Sequence, residues 1–306
     1  MRPQEHPISP SSPDTDPDES GEPSLSRGEE PIPGSGEESD SEFAEVASGD
    51  WLEDAPEVVD EEAEHAGEVV SGYGAPPVVA VVITKDPGDW LAETVASLEA
   101  QDYPQLDVLV VDNGGEVDPA PIVVEVAPGA FVKRLDSDEG FSAAVNTAAT
   151  SVKGAPFLLV CHDDVRLEPD AVTQLVAEAF RANAGIVGPK LVDWDDPQVL
   201  RSVGLAVDRF GAPREVVDPG ELDQSQHDIS RTVFAVSDAC MLVRADLFET
   251  IGGFSDAIGF FGEDVDLCWK AHLAGASVQF SHRAAVAHRG DFESRRPTDA
   301  LSLIHI

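Results

Sequence analysis

Residues 78–84 read Val-Val-Ala-Val-Val-Ile-Thr, an apolar, mostly β-branched run with no polar alternation. A strand with one wet face alternates apolar and polar positions, so a run that does not alternate must be covered on both sides. The architecture that does this in a soluble chain is a parallel sheet with helices on its two faces. The segments that follow repeat the demand. Residues 108–111, 131–135 and 157–161 are further short apolar strands, and residues 185–187 begin a fifth. Between them lie stretches with apolar residues at helical spacing: 90–100, with Leu91, Val95 and Leu98 in register, 140–152, and 170–181 after Pro169. The expected fold class is therefore α/β.

In a sheet of this kind ligands gather beyond the carboxyl ends of the strands. The polar clusters fall there: Thr84-Lys85-Asp86 after the first strand, Asp112-Asn113 after the second and His162-Asp163-Asp164 after the fourth. The second half is less regular. Residues 203–217 read as a hairpin around Asp208-Arg209-Phe210-Gly211, and residues 232–236 and 241–243 as short strands. Residues 263–274 form a helix closed by Gly275, with acids at its start and Lys270 and His272 near its end, as the helix dipole prefers.

Charge narrows the partners. The net charge is −40, and 22 of the 59 acidic residues but only 2 of the 19 basic ones lie in residues 1–75. That segment is rich in Pro, Ser, Gly and Glu and has few large apolar side chains, so it is expected to be a disordered acidic tail. Within it, Phe43, Trp51 and Leu52 could form a short helix on a partner, although a solvated spacer is the simpler reading. So acidic a chain is not expected to bind nucleic acid, for there is no basic face to displace counterions from phosphates. An anionic nucleotide is still compatible if a divalent cation stands between.

Cys161, Cys240 and Cys268 show no CxxC spacing, which fits a reducing, cytoplasmic setting. No signal peptide and no run of 18 apolar residues is visible. Residues 291–306 end in Leu-Ser-Leu-Ile-His-Ile without a cap, and read as a truncated or artefactual terminus.

Two adjacent carboxylates at a strand end, Asp163 and Asp164, repel each other unless something positive sits nearby. Mg²⁺ or Mn²⁺ binds carboxylates and diphosphate oxygens together. Glu263, Asp264 and Asp266 open a helix, and His288 follows the strand-like 284–287. Each has a plainer reading alone: an acidic turn, a helix start satisfying its dipole, a structural histidine.

Their order resembles the family 2 glycosyltransferases. The matching pieces are Val111-Asp112-Asn113-Gly114, then Asp138-Glu139-Gly140-Phe141 through Asn146, then His162-Asp163-Asp164-Val165, and last Gly252-Gly253-Phe254 through Glu263-Asp264-Val265-Asp266-Leu267. The resemblance covers about residues 77–288. It implies a GT-A fold, a Rossmann-like and mostly parallel sheet flanked by helices, in a domain spanning 76–290. It also implies inverting transfer from a nucleotide-diphosphate sugar, with a glycan or lipid-linked glycan as acceptor. By the same resemblance Thr84, Asp86, Asp112, Gly140, Asn146 and Asp163 lie around the donor, and Asp164 and His288 hold the metal with His162. Asp264 is the general base, with Glu263 its rival. Rhamnose or galactofuranose on a cell-wall glycan would be the family analogy. Larger actinobacterial proteins with a similar N-terminal domain carry membrane spans afterwards, which implies a place at the cytoplasmic face of a membrane.

Three departures stand out. His162 replaces the first acid of the usual three-acid motif, and an imidazole still ligates Mn²⁺. Thr84-Lys85-Asp86 replaces the usual Thr-Tyr-Asn, and Asp238 stands where a small residue is common. A catalytically silent nucleotide-sugar-binding or scaffold domain is the alternative that His162 leaves open. A nicotinamide-dependent dehydrogenase is disfavoured because no Gly-x-Gly-x-x-Gly follows residues 78–84. A nucleotidyltransferase would want a basic Gly-rich loop near its start, and a processive synthase a Gln-x-x-Arg-Trp-like motif; neither is present.

Overall fold

The computed structural model describes residues 74–255, 257–258 and 262–290. The expected acidic tail, except its last two residues, lies outside the described residues, as do Phe260, Phe261 and the terminal segment 291–306.

The first half alternates as the hydrophobic runs demand. β1 (Val78–Thr84), α1 (Trp90–Glu99), β2 (Leu106–Asp112), α2 (Ala120–Val126), β3 (Phe131–Arg134), α3 (Phe141–Ala149) and β4 (Phe157–His162) follow one another. β3, β2, β1 and β4 lie side by side and parallel, with Val78 opposite Leu106 on one side and Phe157 on the other. Six of the seven β1 residues are buried, all but Val79, which the uninterrupted run required. Helix α1 buries Leu91, Val95 and Leu98 against one face of this sheet; Ala144, Val145 and Ala148 of α3 pack on the other.

The second half departs from a purely parallel sheet. β5 (Val165–Leu167) follows the acidic turn, and α4 (Ala171–Arg181) then carries the chain to β6 (Ala184–Asp193). That crossing skips one position. β7 (Leu200–Ser202) edges β6; β8 (Leu205–Val207) and β9 (Pro213–Glu215) form the expected hairpin. β10 (Arg231–Thr232) is shorter than residues 232–236, because 233 onward bonds to neighbours outside a regular ladder. β11 (Cys240–Arg244) enters the skipped position from the opposite direction, antiparallel to both β4 and β6. α5 (Ala245–Thr250), α6 (Glu263–Leu273) and β12 (Ser277–His288) complete the chain, with β12 parallel to β6. The main sheet therefore runs β10-β12-β6-β11-β4-β1-β2-β3.

The carboxyl end of β12 pairs with both β6 and β5, setting His288 opposite Asp193 on β6 and Val165 on β5. This register brings the end of the chain's last strand to the turn that holds Asp163 and Asp164. Among the described residues, no helix is long and apolar enough to cross a membrane.

Candidate active site

The two adjacent carboxylates serve different neighbours. Asp163 Oδ2 accepts a hydrogen bond from the Thr84 hydroxyl at 2.6 Å, and its carbonyl oxygen accepts one from Thr94 at 2.7 Å. Both partners are buried, so Asp163 ties the turn to β1 and α1. Asp164 faces the other way. Its Oδ1 lies 3.4 Å from His288 Nε2 and 3.8 Å from His162 Nδ1, and its carbonyl accepts from Arg289 N–H at 3.1 Å. One ligand atom each from His162, Asp164 and His288 fall within 4.8 Å of one another. The residues fit a divalent cation: two imidazole nitrogens and a carboxylate oxygen, Asp164 and His288 buried, and fixed by the β5–β12 register. With nitrogen in the set, it suits a transition ion such as Mn²⁺ better than Mg²⁺, which takes oxygen.

The ends of β1, β2 and β3 are knitted into one wall. Asp112 is fully buried; its Oδ1 accepts from Gly115 N–H at 2.9 Å, and its Oδ2 lies 3.4 Å from Arg134 Nε. Asp86, at a φ of 49°, accepts from the backbone N–H groups of Glu116 and Val117 at 2.5 and 2.9 Å. Gly115 passes between these two aspartates with no room for a side chain: a Cβ would sit 2.8 Å from Asp86 N and 3.1 Å from Asp112 Oδ1. Lys85 bridges to Asp138 at 2.8 Å, and Asp138 also accepts from Asn113 and from Gly140 N–H, each at 2.9 Å. Gly140, at φ 79°, turns the chain into α3. Asn146 stands apart from this wall. Its amide nitrogen donates to Phe254 carbonyl and its amide oxygen accepts from Phe254 N–H, both at 2.9 Å, clamping α3 to the Gly252-Gly253-Phe254 turn.

On the facing side, Gly262 at φ 96° starts α6. Asp264 Oδ1 accepts from Val265 N–H at 2.7 Å, and Asp238 N–H also donates to its carboxylate. A helix start alone would keep Asp264 acidic. Burial wins instead: desolvation pushes its carboxyl up to about 6, against the backbone N–H donors and with added repulsion from Glu263. Burial also raises Glu263, whose Oε2 has no hydrogen-bond partner among the described residues. Asp266 pairs with Lys270 at 3.1 Å within the helix. Asp238, whose backbone serves Asp264, has its own carboxylate 3.6 Å from His162 Nε2. A polar path thus runs from the His162–Asp164–His288 cluster to Asp264.

Three contributors were not singled out from the sequence. Thr94 holds Asp163 from a buried helical position that an amphipathic pattern reads as core. Arg134 reaches Asp112 from the end of β3. Glu215, on β9, is exposed as a residue, yet desolvation at its carboxyl and the charge of Asp264 raise it above the usual carboxylate range. No local signal marks it, because its position depends on how the β8–β9 hairpin folds back.

Comparison with known proteins agrees with this geometry. The family model described as Glycosyl transferase family 2 matches residues 79–252. The chain is 29% identical over 234 residues to the O-antigen biosynthesis protein RfbC of Myxococcus xanthus, spanning 74% of this chain but 18% of that one. It is 28% identical over 250 residues to the N-acetylglucosaminyl-diphospho-decaprenol L-rhamnosyltransferase of Mycobacterium tuberculosis, spanning 75% and 81% of the two chains. Among solved structures, GalNAc-T7 with UDP, GalNAc and Mn²⁺ superposes with a TM-score of 0.59 at 16% identity, over 70% of this chain and 43% of that one. The S. aureus TarS structure gives 0.53 at 18% identity, over 69% and 36%.

Proposed function

The chain belongs to glycosyl transferase family 2 and has the GT-A fold, and from this premise we propose that it moves a sugar from a nucleotide-diphosphate donor to a hydroxyl of a cell-envelope glycan, with inversion. The observation that carries the reading is that two groups are joined through Asp238: His162, Asp164 and His288 at the strand ends, and the Asp264 carboxyl at the start of α6.

Inversion needs one carboxylate to take the acceptor's proton as the sugar carbon is attacked. Asp264 has that role in this reading. With its pKa at about 6 it is roughly nine-tenths ionised at pH 7, yet far more basic than an exposed aspartate. Glu263 is one residue away and faces a different direction from the same helix start. On the other side, Asp164, His288 and His162 would hold Mn²⁺ or Mg²⁺, which would neutralise the departing diphosphate. Thr84, Asp163, Asp86, Asp112 and Gly140 shape the donor wall, with Thr84 fixing Asp163 and Asp112 fixing the Gly115 turn. Asn146, which clamps α3 to Phe254, borders the donor in this reading.

The acceptor is a lipid-linked glycan in this reading, supported by the similarity to the mycobacterial N-acetylglucosaminyl-diphospho-decaprenol L-rhamnosyltransferase. Such an acceptor would place the domain, residues 76–290, at the cytoplasmic face of a membrane. L-Rhamnose is the donor sugar to test first.

The test is donor turnover with Mn²⁺ and a lipid-linked acceptor, with the product read by mass and its anomeric configuration by NMR. A product of inverted configuration is expected. Donor binding without turnover or hydrolysis would instead support the silent-domain reading that His162 keeps open.

A further inference from the structure

His162 ends β4 with a carboxylate on either side of its ring. Nδ1 faces Asp164 Oδ1 at 3.8 Å, toward the cluster that also holds His288, and Nε2 faces Asp238 Oδ1 at 3.6 Å. The ring has little freedom to turn. The Phe141 ring meets it edge-on with centroids 4.8 Å apart, the His288 ring lies 5.6 Å away, and the His162 side chain is 12% exposed. Asp238 is held as well. His162 N–H donates to the Ala239 carbonyl at 2.9 Å, which extends the β4–β11 ladder and brings residue 238 beside the imidazole. The Ser237 hydroxyl accepts from Ala239 N–H at 3.2 Å, and Asp238 N–H donates to the Asp264 carboxylate. The Asp238 side chain is 14% exposed. The ligand atoms that fall within 4.8 Å of one another come from His162, Asp164 and His288, without Asp238.

We propose that Asp238 is a positioning residue for the cation site: its carboxylate keeps the proton of His162 on Nε2, so that Nδ1 turns its lone pair toward the place shared with Asp164 and His288. The inference rests on the reading of a divalent cation at those three residues. A neutral imidazole carries one N–H, and the nitrogen that ligates is the one without it; the partner of the other nitrogen decides which is which. With the proton on Nδ1, an N–H would point into the cluster and the Nε2 lone pair would face the Asp238 carboxylate. Two acceptors opposed in a largely buried setting repel, whereas an N–H between them attracts, so Asp238 selects the ligating tautomer. The 3.6 Å separation is just beyond an ordinary hydrogen bond, a looseness common at such sites before the ligand is in place. A carboxylate behind a ligating imidazole also raises its basicity. A secured nitrogen donor favours Mn²⁺ over Mg²⁺. His162 and Asp238 stand out separately in the sequence; the fold makes them one unit.

The experiment uses the full chain. Nitrogen-15 NMR of the metal-free protein at about pH 8, where a free imidazole is neutral, reads the tautomer of His162, with its signals assigned by their loss in His162→Gln. Wild type should carry the proton on Nε2, a result that needs no variant at position 238 to fold. Asp238→Ala should turn the single tautomer into a mixture. A proton on Nδ1, protons on both nitrogens as in a plain ion pair, or a tautomer that Asp238→Ala leaves unchanged would overturn the proposal. Mn²⁺ affinity is then titrated by paramagnetic resonance with no donor or acceptor present. Asp238→Ala should weaken it about 10- to 100-fold, the range for removing the partner behind a ligating histidine, and should narrow the preference for Mn²⁺ over Mg²⁺. In a His162→Ala background the same substitution should change little, because the two residues act as a pair. An equal loss in that background would mean that Asp238 acts by its charge or as a ligand itself, which also overturns the proposal. A wild type that binds no Mn²⁺ overturns it together with the cation reading of the cluster. Sugar transfer is assayed separately. A chain with the expected tautomer and coupling that transfers no sugar would refute the transferase reading alone; an active transferase whose Mn²⁺ affinity ignores Asp238 would refute this inference alone.

Discussion

Replacing Asp264 by Asn should make the protein more stable and less active at once. The carboxyl has an ordinary value of 3.8 and a folded value of about 6, raised by desolvation and by Glu263. A group whose folded pKa is raised favours the native state most below its unfolded pKa, and loses that contribution as pH climbs through the folded value. The window therefore runs from about pH 4 to about pH 6. Two units at about 1.36 kcal/mol each give about 3 kcal/mol as the upper figure. Relaxation of the helix start toward water reduces this, so 1–3 kcal/mol is the working range, about 3–10 °C in Tm for a domain of this size. Asn keeps the shape and one oxygen to accept from Val265 and Asp238, but carries no proton to titrate.

The assay is thermal unfolding of wild type and Asp264→Asn in chelator, at pH 4 and pH 7.5. The variant should exceed wild type at pH 7.5, and the gap should close at pH 4. In parallel, turnover should fall by two to four orders of magnitude with donor affinity near wild type, the range for losing a positioned base. Wild-type kcat/KM should rise through about pH 6 and level off. A variant less stable than wild type at pH 7.5, or a gap independent of pH, would refute the claim that burial dominates the Asp264 environment. Retained turnover would refute its role as the base.

Other outcomes follow from the same structure. Asp164→Asn should lower Mn²⁺-dependent donor affinity at least tenfold by calorimetry, and an unchanged affinity removes Asp164 from the ligand set. Glu263→Gln should keep turnover within about tenfold; if it were dead while Asp264→Asn stayed active, the base would be Glu263. Gly114→Ala should cost more than about 2 kcal/mol in chemical denaturation, because a Cβ there would lie 2.3 Å from the Ser137 carbonyl carbon at a φ of +70°; an unchanged midpoint would mean the loop yields. Limited proteolysis should leave a resistant core beginning between Gly74 and Val78, and protection reaching back to Ser20 would sink the reading of residues 1–75 as a dispensable tail.

What the sequence disclosed and what it withheld divide along the distance over which each feature is determined. The β1 run demands burial on both faces whatever else the chain does, so the parallel half of the sheet was legible from single segments. The motifs at strand ends were legible because their order along the chain is itself information. β11 was not: its residues announce a strand, but its direction depends on the gap that α4 leaves between β4 and β6. The clamp that Asn146 makes was not legible either, because its partner, the Phe254 backbone, lies 108 residues away. Asp264 shows the same limit in energetic form. Its local context, a helix start, argues for a lowered pKa, worth up to about 1 kcal/mol. The desolvation that reverses the sign is set by the folded surroundings, to which Asp238, 26 residues earlier, contributes a backbone N–H. A local rule fails here because a nonlocal term exceeds it, and a carboxylate kept ionised at a cost in native stability is what a general base at neutral pH requires.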